Sequence, residues 1–159
     1  MKILIVSDTH GRDSGLERAV EKETPFDMLI HCGDVEGREF FIEALAECPC
    51  YIVSGNNDYF SDLPREMEAL ISGKRAWITH GHYYGISVSS KRVREAAVSR
   101  GCEMVFCGHT HRPVIEDSGN ILLINPGSLT YPRQEGRKPS YAVMNTYPDG
   151  TVDVQIRYL

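Results

Sequence analysis

Met1-Lys2-Ile3-Leu4-Ile5-Val6-Ser7-Asp8-Thr9-His10-Gly11 opens the chain: an unbroken aliphatic run, then a carboxylate, an imidazole and a glycine. The run is too short for a signal peptide or a membrane span. It predicts a buried strand over Lys2 to Ser7. Asp8 and His10 stand two residues apart just beyond that strand. In extended chain, side chains two apart point the same way, so one cation can meet both.

Working outward, the same arrangement recurs. Gly33-Asp34, Gly55-Asn56-Asn57-Asp58, His80 with Gly81, and Gly108-His109-Thr110-His111 each follow a short run rich in Val, Ile, Leu or Phe. All six histidines (His10, His31, His80, His82, His109 and His111) fall in or beside these clusters. Glycine next to a ligand-type residue permits a sharp exit from a strand with no side chain in the way. In α/β sheets, ligands gather at the carboxyl ends of strands. Asp8, His10, Asp34, Asn56, His80, His109 and His111 therefore form a set of seven oxygen and nitrogen ligands, enough for two divalent ions. Carboxylate and carboxamide oxygens with imidazoles suit Mn, Fe, Co, Ni or Zn, with Mn²⁺ the expected ion.

Elsewhere, strand and helix signals alternate. Helical spacing runs over Ser14 to Glu23 (Leu16, Ala19, Val20 on one face), Glu39 to Glu47 (Phe40, Phe41, Ala44, Leu45) and Ser89 to Arg100, which Gly101 stops. Strands are predicted at Met28 to Cys32, Tyr51 to Ser54 and Met104 to Cys107, with a hairpin of Glu66 to Ser72 and Arg75 to Thr79 around Gly73-Lys74. Strand–helix–strand repetition predicts a parallel sheet covered by helices. The last third reads as strands alone, Val114 to Glu116, Ile121 to Asn125, Ser140 to Tyr147 and Thr151 to Tyr158, and predicts an antiparallel meander. The expectation is one domain over residues 1–159, two sheets face to face, with a long loop from Asn125 to Pro139 that is functional or mobile.

Bulk properties bound the function. The chain has 159 residues, 42% hydrophobic and 25% charged, enough for one substantial core. Its net charge of −5 does not suggest a polymeric nucleic acid as partner, because such binders carry a basic stripe. Bound cations reverse the local sign, so a small anionic substrate stays compatible. Cys32, Cys48, Cys50, Cys102 and Cys107 are odd in number and follow no framework spacing, which predicts free thiols in a reducing, cytoplasmic setting.

The order DTHG, GD, GNND, HGH, GHTH resembles the calcineurin-like metallophosphoesterase superfamily, and Asn125-Pro126-Gly127-Ser128 is similar to its small bacterial and archaeal phosphodiesterase branch. The resemblance implies an α/β/β/α four-layer sandwich of two mixed sheets. It implies that Asp8, His10 and His111 hold one metal, Asn56, His80 and His109 the other, and that Asp34 bridges them. Two such ions acidify a bridging water to hydroxide and neutralise phosphoryl oxygens, so the implied activity is hydrolysis of small or activated phosphodiesters. Many members have His after the metal-binding Asn, where this chain has Asn57. An amide is no general acid near neutral pH, but it donates hydrogen bonds to an oxyanion. Asn57 and Asp58 are thus the candidate catalytic residues, with Asp58 orienting the loop. The absent His implies good leaving groups or a proton delivered by solvent on the metal.

Other residues stay open. Arg12 and Arg133 are candidates for substrate oxygens; like Arg137 and Lys138 they also fit a solvated surface. His31 and His82 fit either partners that orient ligands or core histidines, and His82 also a substrate contact. Tyr59, Phe60, Tyr83, Tyr84 and Tyr131 suit stacking on a base, or core and dimer contacts, within loops (Tyr59 to Glu66, Tyr83 to Ser90) that set specificity. Oligomeric state stays open, with a homodimer the commonest outcome for soluble assemblies, and no membrane attachment is expected. A phosphomonoesterase is the nearest rival activity. A non-catalytic scaffold of the same fold, like a subunit of the retromer complex, is the rival class; such scaffolds tend to lose the histidines this chain retains.

Overall fold

A computed structural model describes every residue from Met1 to Leu159. The opening run forms β1 (Lys2–Val6), buried on both faces: Ile3 and Ile5 enter one apolar cluster, Leu4 and Val6 another. Such two-sided burial is why the run is continuously apolar rather than alternating. Helix α1 (Ser14–Glu23) follows, then β2 (Met28–His31), α2 (Glu39–Ala46), β3 (Cys50–Ile52), β4 (Glu66–Ile71), β5 (Lys74–Thr79) and a 3₁₀ turn at His82–Tyr84. Helix α3 (Lys91–Ser99), β6 (Met104–Phe106), β7 (Pro113–Ser118), β8 (Ile121–Pro126), β9 (Ser140–Thr146) and β10 (Val152–Tyr158) complete the chain.

The strands make two mixed sheets of five, ordered β10-β9-β1-β2-β3 and β4-β5-β6-β8-β7. Strands β1, β2 and β3 are parallel, as are β5, β6 and β8. Three apolar layers separate four structural ones. Ile3, Ile5, Ile30, Ile78, Met104, Phe106 and Ile124 fill the space between the sheets. Leu16, Ala19 and Val20 of α1 and Ile42 of α2 cover the outer face of the first sheet. Val93 and Ala97 of α3 cover Trp77, Val105 and Leu123 on the outer face of the second. This is the α/β/β/α sandwich that the resemblance implied.

Three local expectations change. The terminal strands are no single meander: β7 and β8 pair in the second sheet, whereas β9 and β10 pair in the first, where β9 also runs antiparallel to β1. The residues between β8 and β9 therefore cross from one sheet to the other. The hairpin turns at Ser72-Gly73, with Ile71 opposite Lys74 and both turn residues at positive φ, as a two-residue primed turn requires. Phe40 is 79% exposed instead of joining the α2 core face, where Ile42 is the buried residue. Gly101 stops α3 as expected, at φ 66°, its amide bonded to Val98 O.

Candidate metal centre

The carboxyl ends of β1, β2, β3, β5 and β6 meet at one edge of the sandwich, and the candidate ligands leave from them. The chain there is not extended. Asp8, His10, Asp34, His109 and His111 all adopt positive φ, between 48° and 69°. Half of the ten non-glycine residues at positive φ thus belong to the candidate set, and strained backbone of this kind concentrates at functional sites. Asp8 and His10 converge through left-handed turns rather than through strand alternation. Glycine makes the close approach possible. A Cβ on Gly55 or Gly108 would fall inside the side chains of Asp34 or Ser7, and one on Gly33 would lie 2.6 Å from His80 Nδ1.

Ligand atoms of Asp8, His10, Asp34 and His111 all lie within 4.8 Å of one another. His80 adjoins them, its Nε2 3.5 Å from Asp34 Oδ2 and 3.1 Å from Asn56 Oδ1. His109 joins through its ring, 5.1 Å from that of His80, while its backbone N–H donates to Asp8 Oδ2. Three imidazoles have their Nδ1 committed elsewhere: His10 to Glu36 Oε1 at 2.8 Å, His80 to Cys32 O at 2.7 Å and His111 to Tyr131 O at 2.7 Å. Those partners only accept, so each Nδ1 donates, and a ring that has given up its second proton presents an Nε2 lone pair to a cation in the cluster.

The donor set fits a cation. The Nε2 atoms of His10 and His111 face each other at 3.3 Å, and two lone pairs at that distance repel unless a positive charge sits near both. Asp8 Oδ1 is buried with no hydrogen-bond partner, although His111 Nε2 is 3.1 Å away. Burial opposes ionisation of Asp8, yet His111, His80 and Ser7 hold its carboxyl below the usual range. Burial likewise opposes ionisation of Asp34, but His80 and both N–H groups of Asn57 keep it far below that range. These are buried anions ringed by imidazoles, the chemistry a divalent ion binds.

Asn57 and Asp58 act on Asp34 and its loop. The backbone N–H of Asn57 donates to Asp34 Oδ1 at 2.9 Å and its side-chain Nδ2 to Oδ2 at 2.8 Å. The Asp58 carboxylate accepts the backbone amides of Val35, Glu36 and Gly55, so it positions the loops bearing Asp34 and Asn56 instead of facing the cluster. Arg12 is exposed, its guanidinium 5.3 Å from the Tyr131 ring centre, and that ring lies 5.2 Å from His10. Arg133 lines a separate cavity of about 380 Å³ with Arg112, Thr110 and Asn125. His31 is buried: Gly33 N–H donates to its Nδ1 and its Nε2 meets Thr9 Oγ1, which makes it a neutral core histidine bracing both ligand loops. Burial pushes its pKa down to about 4.

Sequence reasoning missed Glu36, whose carboxylate fixes the tautomer of His10, and the carbonyls of Cys32 and Tyr131. It also missed the clamp from the crossing segment, where Ser128 Oγ donates to Asp8 O and Thr130 Oγ1 to Thr9 O. The Asn125-Pro126-Gly127-Ser128 stretch was the signal for that clamp; Asn125 Nδ2 bonds Gly108 O and Thr110 Oγ1.

Fold and cluster together are of the metallophosphoesterase type. The chain belongs to the calcineurin-like phosphoesterase superfamily, whose domain profile matches residues 1–149. It is 34% identical over 152 residues to the probable metallophosphoesterase YsnB of Bacillus subtilis, covering 94% of this chain and 86% of that one. It is 32% identical over 146 residues to a phosphodiesterase of Methanocaldococcus jannaschii, covering 80% and 83%. Among solved structures, wild-type Vps29 of Entamoeba histolytica, complexed with Zn²⁺, superposes with a TM-score of 0.78 at 17% identity over 99% of both chains, a likeness of fold. No helix is long and apolar enough to cross a membrane.

Proposed function

We propose that this chain is a dinuclear-metal phosphodiesterase acting on small or activated phosphodiesters, with Mn²⁺ as its ion, in the cytoplasm. The observation that carries the reading is the convergence of Asp8, His10, Asp34 and His111 within 4.8 Å, with His80 against Asp34 and Asn56 against His80. Asp8, His10 and His111 would hold one ion and Asn56, His80 and His109 the other, with Asp34 available to both. Bound there, divalent ions would supply a hydroxide nucleophile near neutral pH and offset phosphoryl charge. The chain's own residues do the positioning. Asn57 fixes both oxygens of Asp34, Glu36 holds His10 with its Nε2 inward, and Asp58 secures the loops beneath. Asn57 is an amide and no general acid near neutral pH, which favours esters of acidic alcohols.

The test is hydrolysis of bis(p-nitrophenyl) phosphate and p-nitrophenyl phosphate by purified protein with Mn²⁺ and with chelator, alongside a metal count. About two ions per chain and chelator-sensitive preference for the diester are expected. Faster cleavage of the monoester selects the phosphomonoesterase reading. Bound metal without hydrolysis of either selects the scaffold reading, since a Zn²⁺-bound Vps29 shares this fold.

A further inference from the structure

Beside the cluster, between the end of β3, the start of β4 and the 3₁₀ turn, lies a cavity of about 480 Å³ bordered by Asn56, Tyr59, Leu63, Arg65, His82 and Tyr83. It is within the range of small-molecule sites, roughly 300–1,000 Å³. It adjoins the proposed reaction centre directly. Asn56 Oδ1 lies 3.1 Å from His80 Nε2, and the His82 ring is 5.3 Å from His80 and 6.0 Å from His109.

Its lining is aromatic and cationic. Tyr59 and Tyr83 are 78% and 63% exposed, and neither belongs to an apolar cluster of the fold. The His82 ring packs on Tyr83 with centroids 4.0 Å apart and planes tilted by 40°, so the two rings make one contiguous aromatic wall. The guanidinium of Arg65 stands 5.3 Å from the Tyr83 ring centre. The adjacent Glu66 does not neutralise it, because Glu66 pairs with Arg100 at 2.8 Å. Two exposed tyrosines, a histidine and an unpaired cation beside a phosphoester centre match a flat π-system with electronegative edges.

We propose that this cavity is the seat of one ester group of the substrate and that the group is a planar aromatic one of nucleoside size, stacked on Tyr83 and Tyr59 with Arg65 at its electronegative edge. The proposal rests on the phosphoester reading of the adjoining cluster. Its test is calorimetric titration of the Mn²⁺-loaded protein with methyl phosphate, phenyl phosphate and uridine 5′-monophosphate, which share one anchor and differ in the arm. The two aromatic phosphates are expected to bind about tenfold tighter than methyl phosphate, the scale of one stacked base. In Tyr83→Leu that ratio falls to near one; Tyr59→Leu and Arg65→Gln reduce it by smaller factors. Both tyrosines are exposed, so the variants keep the core, which thermal melts verify. Equal affinities for all three phosphates, or a ratio unchanged in Tyr83→Leu, overturn the subsite and leave the cluster reading intact. A ratio that moves only with protein concentration assigns the tyrosines to contact between copies and overturns it too. Absence of all phosphate binding, with no Mn²⁺-dependent hydrolysis, overturns the cluster reading and this proposal with it.

Discussion

The two sheets bring different chemistry to the same edge. The first supplies every oxygen donor, Asp8, Asp34 and Asn56, together with His10; the second supplies only imidazoles, His80, His109 and His111. Each half is held in the way its chemistry demands. The anions are held by donors: Ser7 Oγ and His109 N–H on Asp8, two N–H groups of Asn57 on Asp34. The imidazoles of His80 and His111 are held by carbonyl acceptors, which fix the proton on Nδ1. A buried carboxylate without donors protonates, and a ring without an acceptor loses its tautomer. The lesson is that hydrogen-bond polarity around a site reports which groups are meant to be charged.

The strongest blow to this division is Asp34→Asn, which removes the anion both halves share. Diester hydrolysis is expected to fall about a thousandfold, several kcal/mol of transition-state stabilisation. A rate above a tenth of wild type, read with bis(p-nitrophenyl) phosphate, would show that the two halves work without a shared charge. Next comes Asp58→Ala on the oxygen side. It strands the amides of Val35, Glu36 and Gly55 and should cost about 3 kcal/mol in urea unfolding. A loss under 1 kcal/mol would mean that solvent replaces the carboxylate.

A third probe uses pH. Burial holds His31 at about 4 when folded, against about 6.5 when unfolded. Between those values the unfolded chain binds a proton that the folded one does not, so stability falls as pH drops through the window, by up to about 3 kcal/mol. The depressed carboxyls of Asp8 and Asp34 act lower, contributing stability above about pH 4 that disappears on further acidification. His31→Asn is expected to flatten the slope between pH 6.5 and 4.5 in denaturant midpoints, and an unaltered slope would assign it to other groups. The smallest effect is expected from Glu36→Ala, which frees the Nδ1 of His10. Mn²⁺ affinity should weaken about tenfold, the scale of partners behind a ligand. If dialysis finds no change, the carboxylate is a bystander.

The sequence was informative where burial or sterics leave a mark. Continuous apolar runs at Ile3 to Val6 and Met104 to Phe106 announced strands covered on both faces, and Gly33, Gly55 and Gly108 announced crowding around the ligands that follow them. Pairing was less visible. The patterns of β7 to β10 say which residues face inward but not which sheet each strand joins, so a divided pair of hairpins read as a meander. The left-handed turns at Asp8 and His10 were hidden because no glycine announces them. The acceptors that set the tautomers of His80 and His111 were hidden because they are main-chain carbonyls, present at every position.

One consequence follows from the three apolar layers, none of which contains a cluster side chain. The apolar core and the chemistry draw on separate sets of residues, so a lineage can shed its histidines one by one and keep that core for new employment.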